Sequence, residues 1–415
     1  MGHDPLDGDD TWFVDSPAVG AGMQPRPCGE SLRPAAPPAC DDPMAMTFSG
    51  GGFRATLAAL GVARALADVG SLGDLRYLSS VSGGSVANGI VAVKWPELRS
   101  RGYTSHAFDE LVIDPFVKRI SRRSLKVSLI LGIWRTIGPS NRTQLLARQF
   151  DEWFFDGLRL EQLDPQVRWI VNAANLVSGT RFTFERDVVG DYSSGLVPTA
   201  GTDVRLSTAV AASAAVPGAF APLRLRGIEF PCATEAPALL DGGAYDNTGL
   251  EALDSEHYRD TFVVAMNAGG LLRPGAYGKV PLVRELARAN SLLYRQSTTL
   301  RTRWMVDRFE RAAGVPAGEP LPVGARRGVL TGLATDFNGL PELAGSRLAE
   351  WRAAHTEIVE HDGTHLAKVP TVFDELGESL CRKLVHRGWW LTGAALAHYH
   401  PARMPDPGTI AAPAT

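Results

Sequence analysis

The sequence predicts an α/β fold with a central, mostly parallel sheet flanked by helices. The chain of 415 residues is 45% hydrophobic and 21% charged, so it is long enough to bury a large core. Two successive segments each pass from a short apolar run, through a glycine turn, into an apolar helix. Successive units of this kind imply parallel strands with helices on the faces of the sheet.

The first of these units begins with a predicted strand at 44–48. The strand ends at a loop that contains Gly50, Gly51 and Gly52. Residues 53–69 then place leucine and alanine on one helical face, which predicts a helix.

The second unit repeats the plan. Residues 76–81 predict a strand, Ser82, Gly83 and Gly84 predict a turn, and 85–95 predicts an apolar helix.

Further elements follow along the chain, and helices dominate after residue 270. Strands are predicted at 168–176, 181–185, 238–240 and 261–266. Helices are predicted at 204–215, 282–313, 344–355 and 372–396.

These segments divide the chain into four parts. Residues 1–42 are acidic and then proline-rich, which predicts a loosely attached arm. Residues 43–270 form the predicted α/β domain, and 271–403 a helical C-terminal part packed on it. Residues 404–415 are rich in proline and alanine and predict a tail.

Composition excludes several functional classes. The net charge of −3 argues against a nucleic-acid-binding surface, which runs strongly basic. No stretch is long and apolar enough for a membrane span, and no secretory signal is recognisable, so we expect a cytoplasmic protein. The cysteines have no metal-binding spacing, so we expect no metal and four reduced thiols: Cys28, Cys40, Cys232 and Cys381.

Ser82 is a candidate nucleophile. A serine on a tight turn between a strand and a helix exposes its hydroxyl above the sheet, and Gly83 and Gly84 avoid collisions with the adjoining chain. The helix that follows favours developing negative charge through its N-terminal dipole. The same sequence is also compatible with an ordinary turn.

The loop of Gly50, Gly51 and Gly52 is a candidate oxyanion hole. Three glycines between a strand and a helix let several backbone N–H groups face one point. Arg54 follows in the first helical turn, where a cation is disfavoured by the helix dipole. We therefore expect Arg54 to have either a buried carboxylate partner or an anionic substrate group such as a phosphate.

Asp241 is a candidate functional carboxylate. It ends a predicted strand and precedes Gly242 and Gly243, which leave room for another chain segment to approach the carboxylate. A loop without catalytic function is the alternative. In a parallel α/β sheet the carboxyl ends of the strands meet at one edge, where ligands bind, and all three motifs are predicted to lie there.

Together these motifs resemble those of the patatin-like phospholipases. The resemblance covers Gly-Gly-Gly-x-Arg from Gly50, the serine turn, and the distant Asp-Gly-Gly, with a supporting block at 214–220. It implies a patatin-like α/β fold and a hydrolase that cleaves acyl esters of phospholipids or related lipids without a metal or other cofactor. In it Ser82 is the nucleophile, and Ser80 replaces the usual glycine and is expected to crowd the turn.

The resemblance also implies a mechanism. Asp241 is the general base of a Ser-Asp dyad, and the Gly50, Gly51 and Gly52 amides bind the oxyanion. Because an ordinary aspartate is a weak base at pH 7, we expect Asp241 to be partly buried with a raised pKa.

Two alternatives remain. An α/β-hydrolase triad needs a histidine after the aspartate, and several histidines satisfy that chain order: His257, His355, His361 and His365. The other alternative is a lipid-binding protein on the same scaffold that has no catalytic activity.

A basic segment at 115–150 has eight Lys or Arg and no Asp or Glu, interleaved with leucine, isoleucine and tryptophan. Such a segment suits an anionic membrane surface, and the alternative is a solvated cap helix paired with the acidic arm. We expect this segment to lie over the active site and to deliver lipid to it, with membrane contact through residues 118–135.

Overall fold

The structure, a computed structural model, describes most of the chain. The described residues are 32–122, 142–225, 227–254, 258, 260–270, 283–316, 318–341, 343–358, 360–361 and 364–415. Most of the predicted N-terminal arm, most of the basic segment, Cys28 and His257 lie outside them.

The described residues form a central sheet and a two-stranded ribbon. Five strands of the sheet, in the order β10-β9-β1-β2-β3, are parallel, and β4 to β8 pair with their neighbours in antiparallel fashion. The strands are β1 Met44–Phe48, β2 Leu75–Val81, β3 Arg168–Asn175, β4 Thr180–Phe184, β5 Val188–Asp191, β6 Gly195–Pro198, β7 Leu223–Arg224, β8 Ala238–Asp241, β9 Phe262–Asn267, β10 Gly328–Gly332, β11 Glu360–His361 and β12 Thr364–His365.

Helices cover the sheet, which confirms the predicted α/β fold. Those within the described residues are α1 Gly52–Asp68, α2 Gly83–Ser100, α3 Ser105–Phe108, α4 Asp114–Ile120, α5 Arg142–Phe150, α6 Leu206–Ser213, α7 Val283–Ala312, α8 Leu348–Ala354 and α9 Glu378–Tyr399. The helix predicted to begin at 372 starts only at Glu378. Before it, the backbone carbonyl of Val372 accepts a hydrogen bond from the N–H of Phe53 at 3.0 Å.

The core centres on α1, whose residues from Gly52 to Ala67 are all buried. Helix α9 packs directly on α1, because each helix places a glycine against the backbone of the other. A Cβ on Gly61 would overlap the carbonyl of Val385, and one on Gly388 would overlap that of Ala58. The C-terminal helices are thus packed on the helix that follows the glycine loop, while the predicted domain boundaries stay a prediction.

The cysteines differ from expectation at one position. Cys232 is disulfide-bonded, whereas Cys40 and Cys381 are free thiols. The expectation of four reduced thiols is therefore wrong at Cys232. In the described parts of the chain, no helix has both the length and the apolar character needed to cross a bilayer.

Candidate active site

Ser82 lies on a sharp turn between β2 and α2. Its backbone has φ 52° and ψ −119°, a positive φ that a serine adopts only when its surroundings impose it. The two glycines after it are required by close backbone contacts: a Cβ on Gly83 would overlap the carbonyl of Gly52, and one on Gly84 that of Phe48. The strained serine is therefore held between β1, the glycine loop and α2.

A network of buried hydroxyl groups supports this turn from below. The N–H of Ser82 donates to Oγ of Ser213 at 2.9 Å, and that hydroxyl donates to the carbonyl of Asn172 at 2.6 Å. Ser85 Oγ lies 2.9 Å from Ser213 Oγ and donates to Ser80 Oγ at 3.1 Å. Ser80 is fully buried and donates in turn to a β3 carbonyl. The side chain at Ser80 is thus part of the support under the turn.

Strand β3 brings Ser82 and Asp241 together. Its residue Asn172 pairs with Val81, the last residue of β2, and its next residue Ala173 pairs with Asp241, the last residue of β8. Since β4 occupies the other edge of β3, β2 and β8 meet end to end along one edge. The ends of the strands that carry Ser82 and Asp241 meet, as predicted. However, β8 runs antiparallel to β3, whereas a parallel strand was expected before Asp241.

Asp241 is buried and has a raised pKa. Burial raises the pKa of its carboxyl to about 6, against smaller lowering effects of hydrogen bonds from the Ser82 hydroxyl and the Gly243 N–H. The Gly243 bond measures 2.8 Å to Oδ1. The carboxylate is therefore oriented by Gly243 and hydrogen-bonded to the candidate nucleophile.

The glycine loop lies against Ser82, since a Cβ on Gly50 would stand 3.1 Å from the Cβ of Ser82. The Gly50 N–H donates to the carbonyl of Asn247 at 3.0 Å, so this amide is already occupied. The amides of Gly51 and Gly52 contact no acceptor among the described residues. Of the three glycines predicted to form the oxyanion hole, Gly51 and Gly52 therefore remain the candidate donors.

Arg54 is engaged by the protein itself. Its guanidinium donates to the carbonyl of Ala268 at 2.8 and 3.1 Å, to Oγ1 of Thr371 at 3.0 Å, and to the carbonyl of Val369. No carboxylate in the described part of the chain pairs with it, and burial lowers the pKa of Arg54 to about 10. The buried carboxylate predicted as a partner is therefore absent from the described contacts of Arg54, whereas binding of a substrate phosphate stays a prediction. Arg54 instead ties the glycine loop to the loop after β9 and to residues 369–371.

Two further residues at the site escaped the sequence analysis. Asn247 is fully buried, and neither polar atom of its side chain has a hydrogen-bond partner among the described residues. The side-chain oxygen of Asn247 lies beside Gly50 and Gly243. In the sequence, only its position six residues after Asp241 indicates that Asn247 belongs to the site. Tyr294 of α7 packs on Gly243, and burial, followed by the charge of Asp241, raises its pKa well above the usual value.

The alternative triad gains no support from His355. Nε2 of His355 lies 3.0 Å from the carbonyl of Pro407, and its ring packs on Trp351 and Trp389. The side chains of His257, His361 and His365 lie outside the described residues. In the described ranges, no cluster of histidine, cysteine and acidic side chains is suited to hold a metal ion.

Comparison with known proteins identifies the family to which the chain is similar. A family model described as patatin-like phospholipase matches residues 46–254, which is half of the chain. None of the curated proteins matches the chain in sequence.

Two solved structures match the chain at low sequence identity. Human GIVD cytosolic phospholipase A2 is 12% identical with a TM-score of 0.46, and the match covers 86% of this chain and 59% of that one. VipD from Legionella pneumophila is 13% identical with a TM-score of 0.33, covering 86% of this chain and 67% of that one. The chain thus spans less than two thirds of the human protein's length.

Proposed function

The chain belongs to the patatin-like phospholipase family, and from this premise we propose that it hydrolyses lipid acyl esters through a dyad of Ser82 and Asp241. Family membership supports the reaction class, a lipid ester hydrolase. The hydrogen bond between the Ser82 hydroxyl and a buried carboxylate of raised pKa is the observation that carries the dyad. The proposed substrates are phospholipids or lysophospholipids.

The first half of the reaction forms an acyl-enzyme. Oγ of Ser82 attacks the ester carbonyl carbon while its proton passes to Asp241. The tetrahedral intermediate then collapses, its bond to the alcohol oxygen breaks, and the alcohol leaves with the proton held by Asp241.

The second half returns the enzyme to its starting state. Asp241 accepts a proton from water as the water oxygen attacks the acyl carbon. The bond to Ser82 Oγ breaks, the serine regains its proton, and a fatty acid is released.

The amides of Gly51 and Gly52 are the proposed oxyanion donors, because they lie in the loop beside Ser82 and have no competing acceptor among the described residues. Preorganised amides in a dry site stabilise the developing oxyanion strongly. The pKa of Asp241, about 6, leaves the group mostly ionised at pH 7 and makes it a stronger base than an ordinary aspartate.

Labelling with a fluorophosphonate probe tests this proposal. We expect the wild-type protein to be labelled and Ser82→Ala to be unlabelled. Ser100→Ala, at the exposed end of α2, is the matched control and is expected to label like wild type. An unlabelled wild-type protein would contradict the proposal and favour the catalytically silent lipid-binding protein.

A cytoplasmic location with membrane contact through 118–135 is also a proposal. Of the basic residues in that range, Lys118, Arg119 and Arg122 lie within the described residues. Charge reversal at Arg122 and Arg123 is expected to weaken binding to anionic vesicles. Unchanged cosedimentation with the vesicles would contradict that contact.

A further inference from the structure

Helix α7 is attached to the candidate active site by one face. Tyr294, Arg301 and Arg308 are spaced by seven residues and therefore lie on the same side of the helix. Tyr294 packs on Gly243, next to the carboxylate of Asp241.

The two arginines fix the same side to the segment after Asp241. Arg301 pairs with Glu251 and lies 3.6 Å from Asp246, and Arg308 lies 3.4 Å from Asp254. The inward face of α7 is thus held to the segment after Asp241 by partly buried ion pairs.

Several leucines lie on the exposed half of α7. Leu292, Leu293 and Leu300 have exposed fractions of 58%, 69% and 55%, and are among the most exposed large apolar side chains of the described residues. We call these residues, with Arg295 and Arg303, the outer face of α7. Large apolar side chains exposed on the outward half of a helix indicate an interaction surface.

The charges beside these leucines indicate the partner. Arg295 and Arg303 are both exposed, and neither has an acidic partner within the described ranges. Residues 286–306 contain no Asp or Glu. Leucines and arginines that share the outward half of a helix suit the boundary between the headgroups and acyl chains of an anionic membrane, where each arginine adds to the attraction.

We propose that the outer face of α7 lies on an anionic lipid surface. The leucines enter the acyl boundary, and Arg295 and Arg303 contact the lipid phosphates. Because the inner face of the same helix contacts the loop that carries Asp241, this orientation holds the dyad about 10 Å, one helix diameter, from the lipid surface that supplies its substrate. The inference rests on the proposed function, because lipid hydrolysis is the reason for the membrane contact. Binding of the vesicles itself does not require turnover.

Vesicle cosedimentation of the full chain tests the proposal. Wild type is expected to bind phosphatidylglycerol vesicles more tightly than phosphatidylcholine vesicles, and high salt is expected to weaken the binding. The double variant Leu292→Glu/Leu293→Glu is expected to reduce binding by at least about tenfold, because it removes apolar contact and adds repulsion. Arg295→Gln/Arg303→Gln is expected to reduce the preference for anionic vesicles.

The matched control is Val323→Glu/Leu343→Glu, which adds the same two charges to side chains that are 79% and 42% exposed elsewhere. This control is expected to bind like wild type. The Leu292→Glu/Leu293→Glu variant is expected to keep wild-type turnover of a soluble short-chain ester while losing turnover of vesicle lipid.

Each outcome has a separate meaning. Undiminished vesicle binding by Leu292→Glu/Leu293→Glu would overturn the proposal. If wild type is instead a dimer that this variant converts to a monomer, a second copy of the chain covers the face, and the proposal also fails. If wild type binds vesicles but turns over neither substrate, the result would support membrane contact through the outer face of α7. It would contradict the proposed hydrolase activity.

Discussion

The hydroxyl of Ser213 accepts the backbone N–H of Ser82 at 2.9 Å and so fixes the strained turn that carries the candidate nucleophile. Ser213 is the last residue of α6, which lies far from Ser82 in the chain. The same hydroxyl donates to the carbonyl of Asn172 on β3. One side chain therefore joins a helix, the central sheet and the nucleophile turn.

Ser213→Ala is expected to reduce both turnover and stability. The substitution leaves the buried N–H of Ser82 and the carbonyl of Asn172 without this partner, at a cost of about 1–3 kcal/mol in the free energy of unfolding. Urea denaturation and kcat on a soluble ester provide the measurements. Ser207→Ala, at another buried serine of α6, is the control, and an equal loss of kcat there would argue against a specific role for Ser213.

The pH dependence of turnover is expected to follow Asp241. A general base acts only when ionised, so kcat/KM should rise with pH and reach a plateau above a pKa of about 6. The measurement is kcat/KM on a soluble ester whose own ionisation does not change in this range. A midpoint near the ordinary aspartate pKa of 3.8 would contradict the raised pKa.

Asp241→Asn is expected to stabilise the protein while inactivating it. Between pH 3.8 and about 6 the folded state retains a proton at Asp241 that the unfolded chain releases, so stability falls as pH rises through this window. Above the window, the ionised buried group costs about 3 kcal/mol, which the neutral amide avoids.

Thermal or urea denaturation of wild type and Asp241→Asn across pH checks that sign. The variant should be more stable than wild type above the window, and the difference should shrink as pH falls towards 3.8. A difference that grows towards low pH would show that the carboxylate stabilises the fold. Turnover of the variant should fall by about 10²–10⁴-fold.

Gly83→Ala is expected to abolish most of the turnover. A Cβ at this position would overlap the carbonyl of Gly52, so the turn and the glycine loop must move apart. Gly377→Ala is the matched control, because a Cβ there meets no atom within 4 Å. Comparable losses of kcat in the two variants would argue against the close contact between the turn and the loop.

Arg54→Gln is expected to reduce turnover of phospholipids and of phosphate-free esters to the same degree. The guanidinium is engaged by Ala268, Val369 and Thr371, so its loss loosens the glycine loop whatever the substrate. Parallel kinetics on the two substrate classes provide the measurement. A loss confined to phospholipids would support Arg54 as a phosphate ligand.

The parts of the site that depend on local sequence could be predicted. The positions of Ser82 and the glycine loop follow from two strand–turn–helix units, whose apolar periodicity and glycines lie within a few residues of each other. The apolar run before Asp241 and the glycines after it mark this residue as a candidate, and the resemblance to patatin-like phospholipases implies its role as the base. The end-to-end meeting of β2 and β8 depends instead on how both strands pair with β3.

The parts that depend on distant contacts could not be predicted. Residues 369–372 lie on the glycine loop, and two of them accept hydrogen bonds from Arg54. The carbonyl of Asn247 accepts the hydrogen bond of the Gly50 N–H. Tyr294 reaches the site from a helix whose sequence contains no catalytic motif. Sequence periodicity reports which face of a helix is buried, but it does not report which residue faces it.

The end-to-end meeting of β2 and β8 on β3 also orders events during synthesis. Ser82 leaves the ribosome long before Asp241, and strand pairings between distant segments form late because their loops are costly to close. A nascent chain therefore carries the nucleophile without its base until β8 docks on β3. Under the proposed mechanism, the chain can therefore hydrolyse lipid esters only after β8 has docked on β3.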